Sequence, residues 1–175
     1  MSILKVARMG HPVLRERARP LDKGELRHPL LQKLIDDMID TMHEYNGVGL
    51  AAPQIHEGVR LFVALLDEER DDRSEACVLV NPEIVPNTDA AAENWEGCLS
   101  IPDIRGMVRR CTDITVTALD RHGEVVERRL KSFAARVAQH ETDHLDGVLF
   151  VDRMTSMQSL TYLDEYSRYH EKDED

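Results

Sequence analysis

No apolar stretch of this chain approaches the roughly 20 residues needed to cross a bilayer. The longest are short runs such as Leu61 to Leu66 and Val78 to Val80, so a membrane span is not expected. Met1 to Gly10 carries Lys5 and Arg8 among apolar neighbours and has no small-residue cleavage site behind an apolar core. A secretory leader is therefore not expected either, and the chain reads as cytoplasmic. Cysteine is scarce and odd in number: Cys77, Cys98 and Cys111. That argues against a disulfide framework and leaves at least one thiol free as a ligand. Positive charge is also short, 22 Lys and Arg against 33 Asp and Glu for a net charge of -11. That balance argues against a protein built mainly to bind a phosphate backbone, and no convincing local basic patch stands in for it. Internal repeats and low-complexity segments are missing as well.

What is present suits one ordinary domain, residues 1–175. The chain has 175 residues, 42% of them hydrophobic, enough to bury a core. Leu30, Leu31, Leu34, Ile35, Met38, Ile39 and Met42 recur at three and four, which predicts an amphipathic helix from Pro29 to Tyr45. Pro29 stands at a first helical position. The helix runs into Asn46-Gly47-Val48-Gly49, where glycine permits positive φ and close backbone approach. Strands are expected at Val59 to Leu66 and at Ala76 to Asn81, ending at Pro82, with the charged stretch Asp67 to Glu75 between them as a solvated loop. Ile114, Val116 and Ala118 alternate with Thr115, Thr117 and Leu119, and Arg121-His122-Gly123 turns the chain back through Val125 to Leu130 as a hairpin. A second helix is expected with Ser132 as N-cap and Gly147 as its C′ residue. A last helix is expected over about Ser156 to Glu171, followed by a solvated acidic end. Hairpins mixed with three helices predict an α+β fold: mostly antiparallel sheets around a central helix, with an N-terminal and a C-terminal helix.

Within the second helix stands His140-Glu141-Thr142-Asp143-His144. Two histidines four apart are separated by about 40° around a helix axis and ~6 Å along it. Both imidazoles can then reach one metal ion, and Glu141 is placed to act as general base on a water there. The same residues also describe a half-buried helix with a satisfied histidine pair, so a third ligand is needed. One zinc-protease arrangement requires a third His six residues after the second, but that position is Phe150, which cannot ligate. Another would use an acid on the following helix, Asp164 or Glu165. The upstream alternative is Cys98, in Glu96-Gly97-Cys98-Leu99-Ser100, whose neighbouring glycine and nearby Pro102 suggest a tight, exposed backbone. Cys77 and Cys111 read as small buried hydrophobes.

Three segments in order resemble the signature motifs of peptide deformylases: Gly47-Val48-Gly49-Leu50-Ala51-Ala52-Pro53-Gln54, Glu96-Gly97-Cys98-Leu99-Ser100 and Gln139-His140-Glu141-Thr142-Asp143-His144-Leu145-Asp146-Gly147. Gly10-His11-Pro12-Val13-Leu14-Arg15 and Leu149-Phe150-Val151-Asp152-Arg153-Met154 are similar to further family segments. The resemblance implies a metal-dependent hydrolase that removes the N-formyl group from the N-terminal formylmethionine of newly made polypeptides. It implies Cys98, His140 and His144 as metal ligands, Glu141 as general base, and the Gln54 amide and Leu99 N–H as donors to the developing oxyanion. Fe2+ is the implied cofactor, with Zn2+, Ni2+ or Co2+ able to take its place. Val48, Gly49 and Gly97 are expected along the bound peptide; Val137 is expected either at the methionine pocket or in plain core packing, and Arg105 either on substrate carbonyls or neutralising local acids. The implied partners are formylmethionyl nascent chains near the ribosome, with neither nucleic acid nor membrane bound directly. One departure is Val108-Arg109-Arg110, where many relatives have Val-Pro-Arg, which puts a local turn or strand edge in doubt. The competing reading from residues alone is a zinc endopeptidase, and behind it a binding domain without activity.

Overall fold

Two helices lie on opposite faces of one antiparallel sheet, and the split is written in the alternation of its strands. The computed structural model describes residues 2–67 and 76–171. Of the expected loop from Asp67 to Glu75, all but Asp67 lies outside those residues. The larger sheet has the order β1-β2-β3-β6-β7, formed by β1 (Gly49–Ala51), β2 (Leu61–Ala64), β3 (Cys77–Pro86), β6 (Asp113–Leu119) and β7 (Val125–Lys131). A second sheet joins β4 (Ala91–Cys98), β5 (Ile101–Cys111) and β8 (Thr161–Tyr162). All pairings in both are antiparallel. The helices are α1 (Lys23–Leu26), α2 (Pro29–Glu44), α3 (Ser132–Leu145), α4 (Phe150–Arg153) and α5 (Leu163–Tyr169). The fold is α+β.

Successive strand side chains point to opposite faces. Leu50, Leu61 and Val63 therefore meet Ile35, Met38 and Met42 of α2. Their neighbours Ala51, Phe62 and Ala64 meet Ala134, Ala135, Val137 and Ala138 of α3. The alanines let α3 come close to the sheet. Each fully buried large side chain, such as Phe62 or Met38, contributes about 1.5–3 kcal/mol of transfer free energy. A third cluster, including Leu14, Ile101, Val108 and Phe150, ties the smaller sheet to the chain that leaves α3.

Helix α2 begins at Pro29 as expected, with the His28 ring accepting from the Leu30 N–H. Gly147 follows α3 with φ +74°, the left-handed C′ residue anticipated. Three expectations are corrected. Ser132 is not the cap of α3, because its φ of 46° is left-handed whereas a cap needs extended backbone. Lys131, at φ -126° and ψ 164°, takes that place. Strand β3 does not end at Pro82; its register shifts between Val80 and Glu83, and a bulge accommodates the missing N–H. Finally, no single helix runs from Ser156. Ser156 caps a 3-10 turn, Met157–Ser159, then β8 pairs Thr161 with Arg105 and Tyr162 with Ile104, and α5 starts only at Leu163. An open edge on β5 offered the backbone partners that a helix would otherwise have supplied.

Candidate metal centre

Helix α3 carries His140 and His144 on one side, with ring centroids 5.0 Å apart. Cys98, the last residue of β4, meets them there: its Sγ is 3.3 Å from His144 Nε2. One donor atom from each of Cys98, His140 and His144 lies within 4.8 Å of the others. Two ligands on a tetrahedral ion with bonds of about 2.0–2.3 Å stand roughly 3.5 Å apart, so the spacing suits one ion. The donor chemistry suits it too. Burial opposes ionisation of the Cys98 thiol, yet the His144 and His140 imidazoles hold it well below its usual value. Burial likewise opposes a proton on His140, but Cys98 and Glu96 hold that imidazole well above its usual value; a cation would displace that proton. A thiolate with two imidazoles matches borderline transition metals.

Cys98 is 9% exposed, so the expectation of an exposed backbone is corrected: the tight turn after it, at Leu99 and Ser100, folds the thiol inward. Cys77 and Cys111 are half-buried, less enclosed than expected. Gln54 bridges the centre to the loop after β1. Its Oε1 accepts from the Ala51 N–H at 2.8 Å, and its Nε2 points at Ser100 Oγ, 3.2 Å, and Cys98 Sγ, 3.5 Å.

Glu141 is 4% exposed, and its Oε2 has no hydrogen-bond partner among the described residues. Burial pushes its carboxyl up to about 7, while His140 and His144 pull the other way. A buried, unsatisfied carboxylate beside three donor atoms is costly unless something polar completes it. Gly49 makes room for it, since a Cβ there would stand 2.7 Å from Glu141 Cδ. Gly97 makes room for Arg105 in the same way, with a Cβ 2.8 Å from Arg105 Nε.

Glu96, Arg110 and Asp143 were given no role by the sequence, yet Glu96 meets His140 directly and Arg110 ties Glu96 to Asp143. Glu96 Oε2 meets His140 Nδ1 at 2.9 Å and the Glu96 carboxylate accepts from Arg110 and Arg136. Burial opposes its charge, but His140 and Arg110 bring the Glu96 carboxyl down to about 2. Arg110 reaches on to Asp143, which Arg153 also holds at 2.7 Å. The polar sequences of β4 and α3 carry no local signal of these pairings. Arg109 stands exposed opposite Glu93 within an unbroken β5, so the substitution for proline opens no turn.

A single cleft of about 750 Å³ is lined by Val48, Gly49, Gln54, Gly97, Cys98, Leu99, Arg105, Val137, His140 and Glu141. His144 lies buried behind it. Asp164 and Glu165 do not join the cluster; among the described residues the group that could hold a metal ion is Cys98, His140 and His144. Residues 3–160 match the family model of polypeptide deformylase. The chain is 41% identical over 168 residues to peptide deformylase 2 of Nostoc sp., covering 94% of this chain and 93% of that protein. It is 45% identical over 154 residues to the peptide deformylase of Heliobacterium modesticaldum, covering 88% and 95%. A Met-Ala-Ser-bound crystal structure of a class I type b peptide deformylase from Acinetobacter baumannii superposes with TM-score 0.81 at 40% identity, covering 87% of this chain and 99% of that one.

Proposed function

The chain belongs to the peptide deformylase family, and on that footing we propose how its own residues carry out the family's reaction. The enzyme hydrolyses the N-formyl amide at the start of new polypeptides, releasing formate and a free amine. In our reading residues 1–175 act as a single catalytic domain, in the cytoplasm, on formylmethionyl chains near the ribosome. The net charge of -11 favours contact with the emerging peptide over contact with RNA.

Cys98, His140 and His144 would hold the metal, Fe2+ in our reading with Zn2+, Ni2+ or Co2+ as substitutes. When bound, the ion supplies Lewis acidity toward the attacking water and the formyl oxygen. Glu141 takes the proton from that water through its unpartnered Oε2. As the C–N bond breaks, Glu141 returns the proton to the nitrogen, which leaves as a neutral amine. The formyl oxygen gains charge as its carbon becomes tetrahedral, and the Gln54 amide and the Leu99 N–H donate to it. Losing one such donor costs about 3 kcal/mol of transition-state stabilisation. Val48, Val137 and the His140 ring enclose the methionine side chain. Gly49 and Gly97 leave the peptide main chain free to pair along the cleft, with Arg105 at its side.

The observation that carries this reading is the buried Glu141 carboxylate with an unsatisfied oxygen beside the three donor atoms. Formate release from a formyl-Met peptide, measured anaerobically with Fe2+ or Ni2+, tests it on wild type and Glu141→Ala. The variant is expected to lose about 10²–10⁴-fold in rate at unchanged metal content. Retained activity in Glu141→Ala would refute its role. The metal ligands have an independent readout: the thiolate-to-metal absorption of the Co2+ form is expected to vanish in Cys98→Ser.

A further inference from the structure

Helix α3 borders a second cavity on its far side. Val137, His140 and Glu141 line the cleft, whereas Gln139, Thr142 and Asp143 line a separate pocket of about 460 Å³ that shares no residue with it. At about 100° per residue the two sets stand roughly 160° apart around the helix axis. Ile84 of β3, Ala91 of β4, Arg109, Arg110 and Cys111 of β5 and Arg153 of α4 complete the pocket wall. This wall is held in place by its own hydrogen bonds. The Gln139 side chain clamps the Cys111 backbone, accepting from its N–H at 3.1 Å and donating to its carbonyl at 2.8 Å. Arg110 bridges Glu96 and Asp143, and Arg153 donates to Asp143 through Nε and Nη2. Asp143, the carboxylate of this wall, is therefore already matched by two guanidiniums.

What the pocket leaves unmatched is positive. The Arg109 guanidinium has neither hydrogen bond nor ion pair among the described residues. Glu93, opposite it on β4, accepts instead from Thr155 Oγ1 at 3.0 Å. Arg153 spends Nε and Nη2 on Asp143 and keeps Nη1 free. Thr142 adds a buried Oγ1 with no hydrogen-bond partner among the described residues, although such hydroxyls are normally satisfied. Ile84, Ala91 and Cys111 make the rest of the wall apolar. A guanidinium fork matches a planar carboxylate, one unmatched charge calls for a monoanion, and the apolar wall calls for an apolar body behind it. The volume falls within the roughly 300–1,000 Å³ of pockets that hold small molecules. We infer that this pocket is a second ligand site, separate from the cleft, that takes a small organic monocarboxylate with an apolar body, its carboxylate on Arg109 and Arg153.

Benzoate is the probe, titrated into isotope-labelled, Zn2+-loaded protein and followed by amide NMR. Saturable shifts are expected at Arg109 to Cys111 and at Arg153, with a Kd of about 1 mM. Arg109→Met is expected to weaken that binding about tenfold, the scale of one charge-assisted hydrogen bond. Arg109→Lys should fall between the two, since it keeps the charge and loses the fork. Arg109 is exposed and outside the cleft, so both variants should fold and release formate from a formyl-Met peptide within about twofold of wild type. Benzamide, of the same shape without the charge, should bind about tenfold more weakly than benzoate. The inference is overturned if benzoate shifts only Gly97 to Leu99 of the cleft, if its binding does not saturate by about 10 mM, or if benzamide binds equally well. Unchanged benzoate affinity in Arg109→Met overturns it as well. Tighter binding of inorganic phosphate at the same amides would overturn the choice of a carboxylate.

Discussion

Replacing Arg110 with methionine is expected to lower stability by about 3 kcal/mol and, in the same stroke, to weaken metal binding. Arg110 is 6% exposed. Its Nε and Nη2 donate to Glu96 at 2.9 and 3.0 Å, and its Nη1 donates to Asp143. Removing one member of a buried ionic group leaves the others uncompensated, at about 3–5 kcal/mol. The lower end applies because each carboxylate keeps a second cation: Arg136 Nη1 stays 2.8 Å from Glu96 and Arg153 Nη2 stays 2.7 Å from Asp143. In a chain of 175 residues that loss lowers Tm by about 6–12 °C. Glu96 also fixes the His140 ring through Nδ1, and with His140 as a ligand, disturbing such a partner is expected to cost about 10–100-fold in metal affinity. Arg110→Lys keeps the charge but loses the paired N–H geometry, so it is expected to fall between the two. Urea unfolding of the metal-free protein, followed by circular dichroism, gives the first quantity, and competitive metal titration the second. A loss under about 1 kcal/mol, the scale of an exposed ion pair, with unchanged metal affinity would refute the reasoning.

Two further outcomes are expected. The Glu25 carboxyl is brought down to about 2, chiefly by its hydrogen bond to Arg19 and then by the Asp22 N–H. A depressed folded-state value means that its contribution is complete above the unfolded value of about 4.3 and is lost as pH falls from there to about 2. The stability difference between wild type and Arg19→Ala, read from urea midpoints, should therefore be present at neutral pH and vanish at the acid end; a difference that persists there would contradict the pairing. Gly49→Ala would push its Cβ into the Glu141 side chain, 2.8 Å from Cγ, so formate release should drop by about 10²-fold or more while metal content holds. Activity near wild type would show that the carboxylate tolerates displacement.

What the sequence made legible follows from the range of the interactions concerned. Helix α2 could be placed from local periodicity and Pro29, and the 140–144 spacing on α3 from helical geometry alone. The end of β3 and the start of α5 could not, because tertiary pairing decides both: the bulge opposite β6 carries β3 past Pro82, and the open edge of β5 captures Thr161 and Tyr162. Neither cue is present within a dozen neighbouring residues.

The candidate site divides along the same line. His140, Glu141 and His144 share one helix, so their relation is fixed by 1.5 Å of rise per residue. Cys98 stands about forty residues earlier, and only a motif resemblance, not spacing, could bring it to the imidazoles. Glu96 stands within that motif with no legible role, because a carboxylate two residues before a cysteine has no local reason to meet a histidine. It does so because Trp95, Glu96 and Gly97 alternate across β4, which turns the Glu96 carboxylate toward His140 of α3 and its two neighbours the other way. That alternation places one strand on both sides of the chemistry. Its inward residues would hold the metal ligand and orient His140, and its outward residues, Trp95 and Gly97, border the path of the peptide. A substitution that slips β4 by one residue against β5 would exchange the two sets, and would therefore disturb metal binding and substrate binding together.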